Sequence, residues 1–333
     1  MLDSVKIYTP LDGPLPWIET SAKPTPIWAK LSQIYSNLFP DKKYGRVVRA
    51  LSNWGRTGPK LFKIRLNIGC DWLVDLAHWP DYAMYSSPLH VEGSETFMEI
   101  ALTTLLQSGD KVLDIGANKG YYTLMCRNLV GSSGRVVAVE ALPLTSSYLV
   151  ANLRLNGFTD VVVCNLGVGE SERTEYLNYN VAALGCSTLH GRPMLDEKVG
   201  TQRLEIPVRT TDSLLEEIGL DEVNLLKIDV EGHELSVLRG SEKLIRSCRP
   251  IVLFEAFPEN AQLAGWSITE VGEFLQRCGD YQFAAIKYTS DGLIRLNTPL
   301  QWADFDKKAS DIIAWTPRDQ LRIDRFEQVP PRR

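Results

Sequence analysis

The chain has 333 residues, 44% of them hydrophobic and 23% charged, and a formal net charge of −5. This is ordinary globular composition, and the length is ample for a buried core without a staple. The acidic balance speaks against a protein that grips nucleic acid chiefly by charge, which draws on clustered Lys and Arg. The basic run Lys42-Lys43-Tyr44-Gly45-Arg46, with Arg49 beyond, reads as a solvated turn. Cys70, Cys126, Cys164, Cys186, Cys248 and Cys278 show neither C-x-x-C nor metal-ligand spacing, and read as free thiols of a reducing compartment. Met1 to Pro16 carries no signal-peptide pattern, and no run approaches the ~20 apolar residues needed to span a bilayer. A cytoplasmic protein with no membrane partner is expected.

Residues 1–60 differ from the rest. Pro10, Pro14, Pro16, Pro24, Pro26, Pro40 and Pro59 interrupt long helices, and Trp17, Trp28 and Trp54 lie between them. A helical or irregular extension is expected, with one short helix over 28–38. A free linker rarely carries three tryptophans, so the segment is expected to cap the main domain or to mediate a homodimer. The main domain is expected over 61–333. It opens with the alternating strand Phe62-Lys63-Ile64-Arg65-Leu66 and a helix capped by Ser94 and closed by Gly109. A βα series follows: strand 111–115, helix 121–130, strand 135–139, helix 143–156 and strand 161–164. Strands alternating with helices at this pitch predict parallel βαβ units. Over 173–208 the alternation gives way to short strands and loops. It resumes with a helix from Asp212 as N-cap to Gly219, strand 224–230, one helix over 232–246 and strand 251–255. Helix 269–277, stopped by Gly279, and late strands 281–286 and 312–315 complete the pattern.

Doubly wound sheets hold ligands at the carboxyl ends of their strands, where the strand order reverses. Asp114-Ile115-Gly116-Ala117-Asn118-Lys119-Gly120 occupies such a place: strand, glycine loop, helix. Gly116 is expected to let backbone approach a ligand and Gly120 to permit a tight turn into the helix. The helix N-terminus offers N–H groups to a carboxylate. The loop lacks the G-x-G-x-x-G of dinucleotide sites and the Gly-Lys-Ser/Thr of a P-loop, and a phosphate would not welcome Asp114. An acid there suits a ligand that presents an ammonium and a sulfonium, as S-adenosylmethionine does. Glu140, closing the next strand, is placed to accept hydrogen bonds from both ribose hydroxyls.

Asp114-Ile115-Gly116-Ala117-Asn118-Lys119-Gly120-Tyr121-Tyr122-Thr123, Val139-Glu140, Leu226-Lys227-Ile228-Asp229-Val230-Glu231-Gly232-His233-Glu234-Leu235 and Pro250-Ile251-Val252-Leu253-Phe254-Glu255 together resemble the FkbM-type S-adenosylmethionine-dependent methyltransferases, over about 61–315. The resemblance implies the class I methyltransferase fold, an α/β, Rossmann-like, doubly wound and mostly parallel seven-stranded sheet with its last strand antiparallel. It implies S-adenosylmethionine as cofactor and O-methylation of sugar or natural-product hydroxyls. Asp114, Gly116, Asn118 and Glu140 match the family's cofactor positions, and Glu95 stands where the family often has an acid ahead of the loop. Lys119 and His233 depart from the aliphatic and small residues that many relatives carry there.

The edge over 227–234 is acidic, with one imidazole, and the chain lacks the Asn/Asp-Pro-Pro-Tyr/Phe tetrapeptide by which amino-methylating enzymes hold a nitrogen lone pair. That favours a hydroxyl acceptor on a small molecule or glycan. Methyl transfer needs acceptor, methyl and sulfur in line, and a proton removed. Asp229 is placed to orient the acceptor or the cofactor's amino group, and His233 and Glu255 are candidate bases. Glu231 and Glu234 read as favouring a helix N-terminus. A metal-free site is expected, ahead of the alternative of a divalent metal held by Asp229, His233 and Glu255, which do not form a recognisable metal signature. Tyr121 is a candidate wall around the methyl group, Asn165 a candidate contact to adenine, and Ser187 and Thr188 lie in a loop expected to cover the site. His78, His90 and His190 read as ordinary. Two rival readings stay open: a NAD-type Rossmann oxidoreductase, against which the missing fingerprint counts, and a non-catalytic S-adenosylmethionine-binding scaffold, against which the intact Asp114, Glu140 and Asp229 set counts.

Overall fold

The computed structural model describes residues 5–9, 15–16, 18, 61–66, 68–75, 81, 94–181, 183–190, 200–286, 293–295 and 310–328. Trp17, Trp28, Trp54, the helix expected over 28–38, the basic run over 42–49, His78 and His90 lie outside them. In chain order, β1 (Lys6–Tyr8) precedes the hairpin β2 (Leu61–Arg65) and β3 (Asp71–Asp75). Next come α1 (Ser94–Leu105), β4 (Lys111–Ile115), α2 (Tyr121–Val130), β5 (Arg135–Val139), α3 (Pro143–Leu155) and β6 (Val162–Cys164). Then follow β7 (Gly167–Val168), β8 (Arg173–Tyr179), a 3-10 turn (Leu184–Cys186) and β9 (Gln202–Arg209). The rest holds α4 (Thr211–Ile218), β10 (Leu225–Ile228), α5 (Glu234–Arg239), α6 (Glu242–Cys248), β11 (Ile251–Ala256), α7 (Pro258–Leu263) and α8 (Ile268–Cys278). It ends with β12 (Gln282–Ile286), β13 (Leu293–Arg295), β14 (Ser310–Trp315) and α9 (Gln320–Glu327).

The central sheet has the order β1-β6-β5-β4-β10-β11-β14-β12-β13. β14 runs antiparallel to β11 and β12, and β13 antiparallel to β12; the pairs from β1 to β11 are parallel. This is the expected α/β doubly wound sheet with nine strands in place of seven, the additions being the edge strands β1 and β13. β1 comes from the proline-rich segment, and its Tyr8 carbonyl accepts the Asn165 N–H at 2.8 Å. The chain steps outward from β4 through β5 to β6, then returns to place β10 on the other side of β4. The strand order therefore reverses between β4 and β10, and a crevice opens over their carboxyl ends.

Side chains alternate across the sheet. Val112, Val136, Leu225 and Ile251 join Leu102, Leu124 and Trp315 on one face. Leu113, Val137, Leu226 and Val252 meet Leu214, Leu238 and Phe274 on the other. Parallel strands covered on both faces call for near-continuous apolar runs, and Lys227 breaks the run in β10. The six cysteines are free thiols, and all but Cys186 are buried. Among the described residues no helix is long and apolar enough to cross a membrane.

Two local expectations are corrected. The helix expected over 232–246 is two helices, broken at Gly240, where an added Cβ would stand 2.0 Å from the Gly169 carbonyl oxygen. Thr210, not Asp212, caps α4, accepting from the Ser213 N–H at 3.1 Å. Asp212 serves the neighbouring helix instead, its carboxylate accepting the Lys243 and Leu244 N–H groups at 2.9 Å each. The stretch over 173–208 contributes β8 and part of β9 to a separate sheet of order β7-β9-β8, which stands beside the crevice.

Candidate active site

Two strands meet back to back at the glycine loop. Gly116 has φ +77, and a Cβ there would lie 1.7 Å from the Asp229 carbonyl oxygen. Gly116 thus permits a close approach to the end of β10 as well as lining the crevice. The loop is held on its other side by the Val139 carbonyl, which accepts the Gly116 and Ala117 N–H groups at 2.9 and 3.0 Å. Gly120 has φ +93, with Leu149 filling the space a side chain would need. Lys119 turns away from the crevice: its ammonium meets Asp81 at 2.8 Å and sits 4.3 Å over the Tyr148 ring. It ties the loop to the segment following β3.

Asp114 is fully buried. Its Oδ2 accepts from Thr123 Oγ1 at 2.6 Å, and Oδ1 is 3.2 Å from Lys227 Nζ. Lys227 also reaches Asp229 Oδ2 at 3.4 Å and stands 5.1 Å from the Tyr122 ring centre. Burial alone would lower the Lys227 ammonium, but the Asp114 and Asp229 carboxylates outweigh it and hold it above the ordinary lysine range. Asp114 therefore acts under the loop, outside the lining of the crevice. Lys227 was missed by sequence reasoning; the signal was a lysine within an apolar buried strand, which must find an anion.

The crevice encloses about 670 Å³ of empty space when its open mouth is counted. Gly116, Asn118 and Glu140 line it, as do Val139, Leu166, Val168, Leu177 and Ile206. Asn118, at φ +51, donates its N–H to Glu140 Oε2 at 2.9 Å, and Leu142 donates to Oε1 at 2.8 Å. Each oxygen keeps acceptor capacity beyond that one bond. Burial pushes Glu140 up to about 7 against the pull of these N–H groups, with Asp114 and Asp229 adding to the rise. A buried carboxylate short of donors, at the rim of an apolar chamber, fits a ribose diol with adenine beyond it. The residues present therefore fit S-adenosylmethionine.

Asp229, Glu231 and Glu255 bring one carboxylate oxygen each within 4.8 Å of one another, and Asp229 and Glu231 line the cavity. Burial first, then the other carboxylates, hold Glu231 and Glu255 above the usual range. Mutual repulsion at this spacing favours a shared proton. Asn260 Nδ2 donates to Glu231 Oε2 at 3.0 Å. Sequence reasoning set both Glu231 and Glu234 at the helix N-terminus; Glu231 joins the carboxylate cluster instead, while Glu234 Oε1 accepts the Gly232 and Val230 N–H groups just ahead of α5 at 3.1 and 3.3 Å.

His233 lines the cavity, but both ring nitrogens are engaged: Nδ1 lies 2.7 Å from His190 Nε2, and Nε2 lies 3.5 Å from Arg173 Nη2. Burial, His190 and Arg173 hold it down to about 3. It is a poor base, and His190, read as ordinary, is its partner. Tyr121 points into the core, donating to Glu99 and meeting Trp72 edge-on at 6.1 Å. Asn165 is fully buried beside the crevice, its amide donating to the Glu140 carbonyl at 2.8 Å and to Ser146 Oγ at 3.0 Å. Glu95 lies in the first turn of α1, and its side chain is outside the described part. Ser187 lines the cavity, and Thr188 Oγ1 donates to the Glu231 carbonyl at 2.8 Å.

The family profile described as "Methyltransferase FkbM domain" matches residues 114–281. A protein-L-isoaspartate O-methyltransferase of Methanococcus aeolicus is 30% identical over 153 residues, covering 43% of this chain and 70% of that one. "Methyltransferase 1" of Beauveria bassiana is 28% identical over 180 residues, 48% of this chain and 72% of that one. Among solved structures, a methyltransferase FkbM from Methylobacillus flagellatus matches with TM-score 0.42 and 20% identity, over 71% of this chain and 53% of that one. This chain thus spans about half the length of that structure. The profile begins at Asp114, runs past the acidic edge to Tyr281 and takes in half of the sequence: the protein belongs to the FkbM family of methyltransferases, whose cofactor is S-adenosylmethionine.

Proposed function

We propose that the protein transfers the methyl group to a hydroxyl of a small molecule, sugar or natural-product scaffold. The observation that carries this reading is the meeting of Asp229, Glu231 and Glu255, the first two of which line the cavity. S-adenosylmethionine brings a methyl group activated by its sulfonium. The chain's own residues then have three tasks. Glu140 holds the ribose, with the apolar wall from Val139 to Ile206 around the base. Asp229, steadied by Lys227, orients the acceptor. Glu255, held well above the usual carboxylate range by burial and then by its acidic neighbours, receives the hydroxyl proton. A carboxylate acceptor would be repelled by this edge, which counts against ester formation. The cluster also explains why the likeness to isoaspartate methyltransferases need not extend to substrate.

The test supplies methyl-labelled S-adenosylmethionine with pools of hydroxylated scaffolds and glycosides, and the label is traced by mass spectrometry. A base-stable methyl ether is expected. Label released by mild base as methanol, or carried on nitrogen, would overturn the assignment.

A further inference from the structure

Segment 184–190 lies over the cavity, with Leu184, Gly185, Ser187 and Leu189 among the lining residues. Its near end rests on the cofactor loop: a Cβ on Gly185 would stand 2.7 Å from Asn118 Nδ2. Thr188 is bridged to Asn178 by two backbone hydrogen bonds of 2.9 Å and donates to the Glu231 carbonyl at 2.8 Å, and beyond it the far end at His190 meets a chain of two side chains. Arg173, at the start of β8, puts Nη2 3.5 Å from His233 Nε2. His233, immediately before α5, puts Nδ1 2.7 Å from His190 Nε2. The two rings lie 5.0 Å apart, tilted by 32°.

The Arg173 contact favours one arrangement of the protons. A guanidinium donates and never accepts, so His233 Nε2 faces Arg173 as an acceptor and its one proton sits on Nδ1. His190 Nε2 must then accept that proton, and both imidazoles are neutral. A proton added to His190 Nε2 would point at the Nδ1 proton of His233. Moving the His233 proton to Nε2 would only aim it at Arg173. The chain of contacts is therefore best satisfied while His190 is neutral. Burial lowers His190, Arg173 adds to this and Glu175 opposes it; Arg173 itself is paired with Glu175 at 3.1 Å.

We propose that His190 is a positioning residue of the cofactor site: as a neutral acceptor from His233 it keeps segment 184–190 on the cavity, and its protonation weakens the hold on S-adenosylmethionine. The proposal rests on the reading that this cavity takes the cofactor. It gives His233 a role as a clasp rather than a base.

The experiment titrates S-adenosylmethionine into the full-length protein by calorimetry at pH 7.5 and 5.5, comparing wild type with His190→Gln and His190→Ala. Gln offers an oxygen to His233 and does not titrate. Glu140, Glu231 and Glu255 also titrate, but they do so in every variant, so the reading is the difference between proteins. Wild type is expected to lose several-fold more affinity on acidification than His190→Gln, because only wild type gains the His190 proton. His190→Ala is expected to bind weakly at both pH values. As a measurement free of mutation, the imidazole titration of wild-type His190 followed by NMR is expected to move to lower pH when S-adenosylmethionine is added. Equal pH dependence in wild type and His190→Gln, wild-type affinity in His190→Ala, or an unmoved His190 titration would each overturn the proposal. Failure of the wild type to bind at pH 7.5 would instead overturn the cofactor reading beneath it.

Discussion

Lys227 and Asp114 are direct partners across β10 and β4, with Nζ 3.2 Å from Oδ1 and both side chains sealed from solvent. The pair sits at the strand reversal, under the loop that bounds the cavity. Asp229, two residues along the same face of β10, shares the ammonium at 3.4 Å and is the member that reaches the cavity. One cation thus ties the floor of the cofactor loop to the acceptor edge.

Removing that cation leaves Asp114 buried and uncompensated. Lys227→Met is expected to destabilise the fold by about 3–5 kcal/mol in urea unfolding. Adding Asp114→Asn to the same protein is expected to recover much of the loss, because the orphaned charge goes with it. A single variant within about 1 kcal/mol of wild type would show that water or a rearranged Thr123 satisfies the carboxylate.

Gly116→Ala combines two costs, a left-handed backbone at φ +77 and a methyl group 1.7 Å from the Asp229 carbonyl. Neither neighbour is a flexible side-chain tip, so β4 and β10 must part. The expected loss is about 3 kcal/mol or more, from strain and overpacking together. Binding of S-adenosylmethionine should fall with it, since Asn118 and Asp229 are displaced together. Gly157→Ala is the control, since its Cβ meets nothing within 4 Å. It carries only the backbone cost of its own φ +69 and should leave binding intact.

Glu140 is held up to about 7 from an ordinary 4.5. Between those values the folded chain keeps a proton that the unfolded chain has released, so stability falls as pH rises through the window. Glu140→Gln removes this slope, and its melting temperature should decline less between pH 5 and 8 than that of wild type. The same variant should bind S-adenosylmethionine at least tenfold more weakly at pH 8, about 1.5–3 kcal/mol being the worth of a hydrogen bond to a charged group. A flat wild-type stability profile would mean that other donors already satisfy Glu140.

The parts of this fold that were legible are those governed by neighbours in sequence. The bounds of β4, α2 and β5 follow from apolar runs and from Gly120 and Gly131 flanking α2. The misreadings have distant causes. Nothing local to Gly240 says that the Gly169 carbonyl will break the helix there, and nothing near Asp212 says that it will cap α6. Within the site, sequence placed Asp114, Glu140, Asn165 and Asp229 at the correct strand ends. It could not say which way they face: Glu140 and Asp229 line the cavity, while Asp114 and Asn165 are turned into the packing. The pairing of His190 with His233 joins residues 43 apart in sequence, and no spacing rule reaches it.

That pairing separates the candidate bases. Burial first, then the crowding of Asp229, Glu231 and Asp311, holds Glu255 well above the usual carboxylate range, so it has the proton affinity that a base needs. His233, held down to about 3, has too little proton affinity to receive one. With the acceptor identified by labelling, Glu255→Gln is expected to lower kcat by about 10²–10⁴, the usual worth of a general base. Its KM for S-adenosylmethionine should change little. His233→Ala should show the opposite split, a raised KM for S-adenosylmethionine with kcat at saturation nearly kept, because it loosens segment 184–190 and leaves the carboxylates in place. If His233→Ala abolished kcat while Glu255→Gln did not, the roles assigned to the two residues would have to be exchanged.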